Sequence, residues 1–187
     1  MLHVREGSGE MLGLLFNRYQ DPLFNFYRRL TGDRAISEDL VQEVFYRILK
    51  YRRTYRPGTS FRAWMYQIAR NARVDQMRKQ RPETELEEDK LPMPVAAKAE
   101  PIEQEQEAAL LHRAMLQLPV AQREVLVLSR FQELKYTEIA KLLGCEEGTV
   151  KSRVCRALQE LRQIFHQLQQ PPISRTKASP EAYGVEP

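Results

Sequence analysis

The sequence predicts an all-α protein of two small helical bundles joined by a flexible acidic linker. Three observations predict it. Apolar residues recur every three or four positions over residues 8–81 and again over 105–168, but not between them. Only eight of the 187 residues are glycine, and the eleven prolines gather mainly after residue 81, too little punctuation for a β-rich fold. Charge is also segregated. Residues 1–81 carry 16 basic and 8 acidic side chains, residues 82–104 carry 2 and 7, and residues 105–187 carry 11 and 10.

Taken in order, Met11, Leu14, Leu15 and Tyr19 share one helical face, and Asp21-Pro22 predicts a restart. Leu23, Phe24, Phe26, Tyr27 and Leu30 then make a second helix that stops at Thr31-Gly32. A third opens between Asp33 and Ser37, either of which can cap free N–H groups. Its stripe is Leu40, Val41, Val44, Phe45, Ile48 and Leu49. Tyr55–Ser60 reads as a loop, and a fourth helix runs from about Ser60 to Gln80 with Phe61, Trp64, Met65, Ile68 and Ala72 inward. Four prolines (Pro82, Pro92, Pro94, Pro101) and the acidic run Glu83–Asp89 make 82–104 the linker. Periodicity resumes with Ala109, Leu110, Ala114 and Leu118. Pro119 opens a helix carrying Val125, Leu126, Leu128 and Phe131, and Thr137 is placed to cap a short one holding Ile139, Ala140, Leu142 and Leu143. Gly144-Cys145 forms a turn, a longer helix follows over about Glu146–Gln167, and residues 169–187 read as a disordered polar tail.

Several function classes fall away. The chain shows no Gly-rich phosphate loop, nucleophile elbow or HExxH pattern, so no catalytic residue, cofactor or small-molecule substrate is expected. His3, His112 and His166 are isolated, and Cys145 and Cys155 are ten positions apart in one expected helix, without metal or disulfide spacing. Both cysteines read as partly buried small residues or as oxidant sensors. No apolar run approaches the ~20 residues of a membrane span, and charges interrupt any secretory start, so a cytoplasmic protein without membrane insertion is expected.

Residues 136–155 have the layout of a helix-turn-helix. On the wheel, Val150, Val154, Ala157, Leu158 and Leu161 form its second helix's packing stripe. Gly148, Thr149, Ser152 and Arg156 fall opposite, flanked by Lys151 and Arg153. Small hydrogen-bonding residues at the centre with cations at the edge suit base reading and phosphate clamping in a major groove. An αα-hairpin with a polar outer face fits the same pattern. Glu146 and Glu147 oppose phosphate at the helix start while complementing its dipole.

The first bundle carries a second signal. Residues 52–81 hold nine cations against one acid, Asp75, interleaved with Tyr55, Phe61, Trp64 and Tyr66. Arg62, Tyr66, Arg70 and Arg73 lie opposite Ile68 on one face, expected to be exposed. Cations along a strand backbone beside π-faces are the means by which single-stranded nucleic acid is held. A solvated basic face, with Phe61 and Trp64 in the core, is the other reading.

Asp39-Leu40-Val41-Gln42-Glu43-Val44-Phe45, followed by Phe61-x-x-Trp64 and Tyr66-Gln67-Ile68-Ala69-Arg70-Asn71, resembles region 2 of bacterial sigma factors. Leu118-Pro119, Tyr136-Thr137-Glu138-Ile139-Ala140 and Gly148-Thr149-Val150-Lys151-Ser152-Arg153 resemble region 4. Two such regions in order, over about residues 8–168, are similar to the extracytoplasmic function (ECF) group.

The resemblance implies roles. Core RNA polymerase would be the partner through its β′ clamp helices and β subunit, with Asp39, Leu40, Gln42, Glu43 and Phe45 binding it. Tyr55, Arg56, Ser60, Arg62, Tyr66, Arg70, Asn71 and Arg73 would take the melted −10 strand. Pro57-Gly58 replaces the familiar acidic residue of that loop, which leaves the flipped base unassigned. Gly148, Thr149, Lys151, Ser152, Arg153 and Arg156 would read the duplex −35 element. An anti-sigma factor would be a further partner. The linker would thread the RNA path of polymerase or act as a passive spacer. The two elements lie ~25 base pairs, about 85 Å, apart. Two modules each ~25 Å wide leave about 60 Å between near edges, which the linker's 20-odd residues, extending to about 70 Å, can span. A free-standing helix-turn-helix regulator and a polymerase-binding adaptor are the competing readings.

Overall fold

The structure, a computed structural model, describes residues 1–80 and 103–169. The acidic segment and the C-terminal tail lie outside the described residues, apart from Glu103 and Gln104, which are helical, and Gln169. Among the described residues are eight α-helices and no strand: α1 Leu2–Arg5, α2 Gly9–Thr31, α3 Arg34–Tyr51, α4 Phe61–Gln80, α5 Glu103–Gln117, α6 Val120–Leu126, α7 Tyr136–Leu143 and α8 Glu147–Gln169. A 3-10 turn, Arg52–Thr54, follows α3, and a π-helical turn, Val127–Phe131, extends α6.

Ser8 opens α2, its hydroxyl accepting from the Met11 N–H at 3.4 Å. The helix then runs unbroken through Pro22, where the sequence predicts a restart. A mid-helix proline costs about 3 kcal/mol. Here Leu15 and Tyr19 before it, and Leu23, Phe26, Tyr27 and Leu30 after it, pack on one core and hold a single axis. Gly32 ends α2 in the left-handed region, φ 74°, donating its N–H to the Arg28 carbonyl at 3.0 Å. A Cβ on Gly32 would fall 2.9 Å from Leu116 Cδ1 of α5. The helix cap is thus also a close approach between the two halves of the chain.

Of the two capping candidates, Asp33 starts α3: its Oδ1 accepts from the Ile36 N–H at 2.9 Å. Leu40, Val41, Val44, Phe45 and Ile48 are buried, while Leu49, placed on the same stripe by sequence, is 43% exposed. Buried Tyr27 donates its hydroxyl to the Ala69 carbonyl at 2.9 Å, tying α2 to α4. Burial pushes that phenol's pKa well above its ordinary value, so it stays a donor. Arg47 ties α3 to α4 through Asp75 at 2.7 Å and is held within α3 by Glu43 at 2.6 Å.

In the second half, α7 begins at Tyr136, ahead of the start that a Thr137 cap would give. The Lys135 N–H donates to Glu138 Oε2 at 3.0 Å, half of a capping box. Gly144 ends it at φ 64°. Val150, Val154 and Ala157 anchor α8, whereas Leu158 and Phe131, expected inside, are 37% exposed. Cys145 lies in the turn before α8 rather than within it, and both cysteines are free thiols.

The bundles share one core. A single apolar cluster runs from Phe26 and Tyr66 to Met115, Val125, Leu128 and Val150. α2 packs on α5, α6 and the π turn, and α4 packs on α7.

Candidate nucleic-acid interface

Three surfaces hold the residues singled out by sequence. The first is the outer face of α3. Asp39 and Gln42 are exposed and Glu43 is half-buried against Arg47. Burial works against the Arg47 guanidinium, yet its bonds to Glu43 and Asp75 outweigh that and raise its pKa. Leu40 and Phe45 are 1% and 8% exposed, so they are core residues and not contacts for a partner. Their places on the surface are taken by Tyr46 and Leu49, 60% and 43% exposed. Positions 39, 42, 43, 46 and 49 follow the three-and-four spacing of one helix face, a signal present in the sequence.

The second surface is the Tyr55–Ser60 loop with α4. The loop is internally closed: Tyr55 Oη donates to the Thr59 carbonyl at 2.8 Å and Thr59 Oγ1 to the Arg56 carbonyl at 2.7 Å. Tyr55 is buried, its ring edge-on to Trp64 with centroids 5.4 Å apart, so it shapes the loop from inside. Arg56 and Ser60 are exposed, and Ser60 Oγ accepts from the Ala63 N–H at 3.3 Å.

The shared face expected to be exposed on α4 is instead covered. Tyr66 is 1% exposed and donates its hydroxyl to Gln132 Oε1. Arg62 donates to the Gln132 backbone carbonyl. Arg70 Nε lies 3.3 Å from Glu124 Oε1, an ion pair without hydrogen-bond alignment. Arg73 is 7% exposed and close enough to Tyr27 to bear on its ionisation. The physical reason is that α4 is enclosed from two sides, by α2 and α3 and by the second bundle. Asn71 alone of the α4 residues assigned to the −10 strand is fully exposed, with its Oδ1 3.5 Å from Gln67 Nε2. Burial holds the Tyr66 phenol above its usual pKa, keeping it a donor to Gln132.

Sequence reasoning missed Gln132, which covers this face, and the residues that join α2 to the second bundle. Gln132 is the first residue beyond the π turn, its N–H donating to the Val127 carbonyl at 3.0 Å. The wider turn and the positive φ of 50° at Glu133 aim Gln132 at α4. Nothing in the sequence marks it. Arg123 is different: it occupies the apolar side of α6, three and four positions before Leu126 and Val127, and is 2% exposed. Its guanidinium donates to the carbonyls of Leu30 at 2.7 Å, Leu116 at 2.5 Å and Leu118 at 2.9 Å. His112 Nε2 lies 3.1 Å from the Arg28 carbonyl, and Arg29 stacks on Phe131 at 4.3 Å.

The third surface is the helix-turn-helix, and it is open. Gly148, Lys151, Ser152, Arg153 and Arg156 are exposed and Thr149 is half-buried, all on the outer side of α8. Ser152 Oγ donates to the Thr149 carbonyl at 3.0 Å. No group of three or more potential metal ligands is found among the described residues. None of the helices described is long and apolar enough to cross a membrane.

A helix-turn-helix with an unobstructed outer face, in one chain with a second helical module rich in cations, defines a two-module nucleic-acid-binding protein. Comparison with known proteins narrows the class. Sigma-70 region 2 matches residues 15–83, and Sigma-70, region 4 matches residues 108–161. RNA polymerase sigma factor CarQ of Myxococcus xanthus is 30% identical over 170 residues, covering 90% of this chain and 97% of that one. ECF RNA polymerase sigma factor SigM of Bacillus subtilis is 29% identical over 153 residues, 81% of this chain and 93% of that one. The chain belongs to the sigma-70 family of RNA polymerase sigma factors, in its ECF group. Such proteins direct promoter-specific transcription initiation by RNA polymerase. Among solved structures, CnrH in complex with the cytosolic domain of CnrY aligns at a TM-score of 0.68 and 22% identity, covering 89% of this chain and 94% of that one. RpoE of Bartonella quintana, in complex with the anti-sigma factor NepR, aligns at 0.63 and 24%, covering 82% and 96%. Both are alike in fold.

Proposed function

We propose that this sigma factor divides its work among the three surfaces. The α3 face of Asp39, Gln42, Glu43 and Tyr46 binds the β′ clamp helices of core polymerase. The Tyr55–Ser60 loop, with Arg56, Ser60, Asn71 and the arginines of α4, takes a flipped base and the melted −10 strand. Gly148, Thr149, Lys151, Ser152, Arg153 and Arg156 of α8 read the −35 duplex. Tyr55 and Tyr66 shape the −10 surface from within. The open outer face of α8, on a helix that is otherwise anchored, is the observation that carries the reading.

Region 4 must leave α4 before that helix can track a strand. Core polymerase supplies the fixed separation, and two weak DNA contacts then multiply through effective concentration. Flipping a base costs a few kcal/mol, offset by pocket contacts. The chain itself makes no bond and needs no cofactor; RNA synthesis belongs to polymerase. In this reading it acts in the cytoplasm, spans about residues 8–81 and 105–168 as its two modules, and is held inactive by an anti-sigma factor. A free-standing regulator is not favoured, because regions 2 and 4 occur together and in order.

Run-off transcription with purified core polymerase and a promoter library tests this. Transcripts from specific promoters that require the chain are expected. Tight core binding without such transcripts would support an adaptor, and duplex binding without core binding a free-standing regulator.

A further inference from the structure

Val4 is 1% exposed, although it belongs to a four-residue helix that precedes the region 2 match at residue 15. α1 packs on α2 and on the 3-10 turn Arg52–Thr54. The chain folds back at Gly7, φ 109°, with Gly7 N–H donating to the Val4 carbonyl at 3.1 Å and Ser8 N–H to that of His3 at 3.0 Å. A helix this short has no stability of its own. Its seat against α2 and the 3-10 turn is what holds it.

That 3-10 turn leads directly into the Tyr55–Ser60 loop, so α1 supports the loop's first residues as Phe61 and Trp64 support Tyr55. Between α1 and the loop lies a cleft of about 510 Å³ lined by Leu2, Arg5, Glu6, Arg53 and Pro57. Arg5 and Arg53 are exposed, and neither has an ion-pair partner among the described residues. The acid in the cleft, Glu6, lies 3.8 Å from His3 Nδ1. Leu2 adds an apolar wall, 47% exposed. Two guanidinium groups beside apolar surface match the phosphate and sugar of a single strand passing the loop.

We propose that the N-terminal turn is part of the −10 recognition unit: Arg5 and Arg53 bind a backbone phosphate of the strand the loop engages, and Val4 is the positioning residue that sets cleft and loop together. This rests on the −10 reading above.

The test uses holoenzyme assembled from core polymerase and the full chain, with a fluorescein-labelled single-stranded DNA of mixed sequence. The Arg5→Ala/Arg53→Ala double variant is expected to bind roughly tenfold more weakly. Its slope of log affinity against log salt should fall by about 0.7, the value for one phosphate of a single strand no longer neutralised. Arg5→Lys/Arg53→Lys keeps the charge and most of the slope. Val4→Asp, which leaves both arginines in place, reduces the slope by the same amount, and Val4→Ile retains it. Binding to core and to a −35 duplex is unchanged throughout. Wild-type slope and affinity in the double alanine variant would overturn this inference alone. Wild-type holoenzyme that binds the strand no better than core polymerase overturns it together with the −10 reading.

Discussion

Tyr66 donates its hydroxyl to Gln132 Oε1 across 66 positions of sequence, joining the central helix of region 2 to the π turn of region 4. Gln132 also receives Arg62 on its backbone carbonyl, so one residue engages two side chains of α4. The closed arrangement therefore engages both Arg62, which the proposed reading gives to the strand, and Tyr66, which it places beneath that surface. A buried neutral hydrogen bond contributes about 1 kcal/mol. Tyr66→Phe should shift the open fraction about fivefold, as read by energy transfer between dyes on exposed sites of α2 and α8. An unchanged open fraction would mean that apolar packing alone closes the two bundles.

Arg123 holds the junction from below. Its bond to the Leu30 carbonyl places a cation against the C-terminal end of α2, where the helix dipole favours it. Its other two bonds stay within region 4. Arg123→Met leaves three acceptors without their donor and should cost about 3 kcal/mol in thermal unfolding. Arg113→Ala, at an exposed position on α5, should change stability by less than about 0.5 kcal/mol. Equal destabilisation by the two substitutions would contradict the assigned role.

How much of this is legible in the sequence depends on the range of the interaction. The α3 stripe apart from Leu49, the capping Asp33 and the αL glycines at 32 and 144 follow from local pattern, and so does the outward face of α8. Pro22 misleads because the packing of Leu23, Phe26 and Tyr27 overrides a local rule. Tyr66 and Arg73 mislead for another reason. A helical wheel orders side chains around one axis but carries nothing about a second domain, and α4 is enclosed by two. Leu40 and Phe45 belong to a motif whose apolar members build the helix while its polar members face outward. Arg123 is legible in principle, as a cation on an apolar stripe.

His112 adds a pH dependence to the same junction. Burial lowers its pKa below the ordinary 6.5, and Arg28, Arg29 and Arg123 facing it act in the same direction, against a partly offsetting bond to the Arg28 carbonyl. The closed form therefore binds fewer protons than the open one. Its stabilisation is complete above about pH 6.5 and disappears as pH falls toward the depressed value. The open fraction should rise between pH 7 and pH 5, and His112→Gln should flatten that response. A response that persists in His112→Gln would place the titration elsewhere.

On α8, Arg153 and Arg156 are exposed on the outer face while Val154 and Ala157 beside them are buried. Substitution at the arginines leaves the anchor intact. Arg153→Ala and Arg156→Ala should each weaken −35-dependent run-off transcription by about 1–3 kcal/mol, about five- to 150-fold, with little change in core binding in a pull-down. A parallel fall in both activities would reject the assignment.

The α3 face predicts the complementary result. Asp39 and Gln42 are exposed, so a partner can reach them without disturbing the core, and they flank Tyr46, 60% exposed. An aromatic residue ringed by polar groups is the composition of an interface anchor, and truncation of such an anchor costs about 2 kcal/mol or more. Tyr46→Ala should therefore weaken core binding about thirtyfold, and Asp39→Ala or Gln42→Ala less. Helicity and thermal stability should stay at wild-type values, because none of the three side chains is in the core. Duplex −35 binding by the free chain should also be unchanged, which separates weakened polymerase binding from a damaged fold. Undiminished core affinity in Tyr46→Ala and Asp39→Ala together would remove α3 from the polymerase interface.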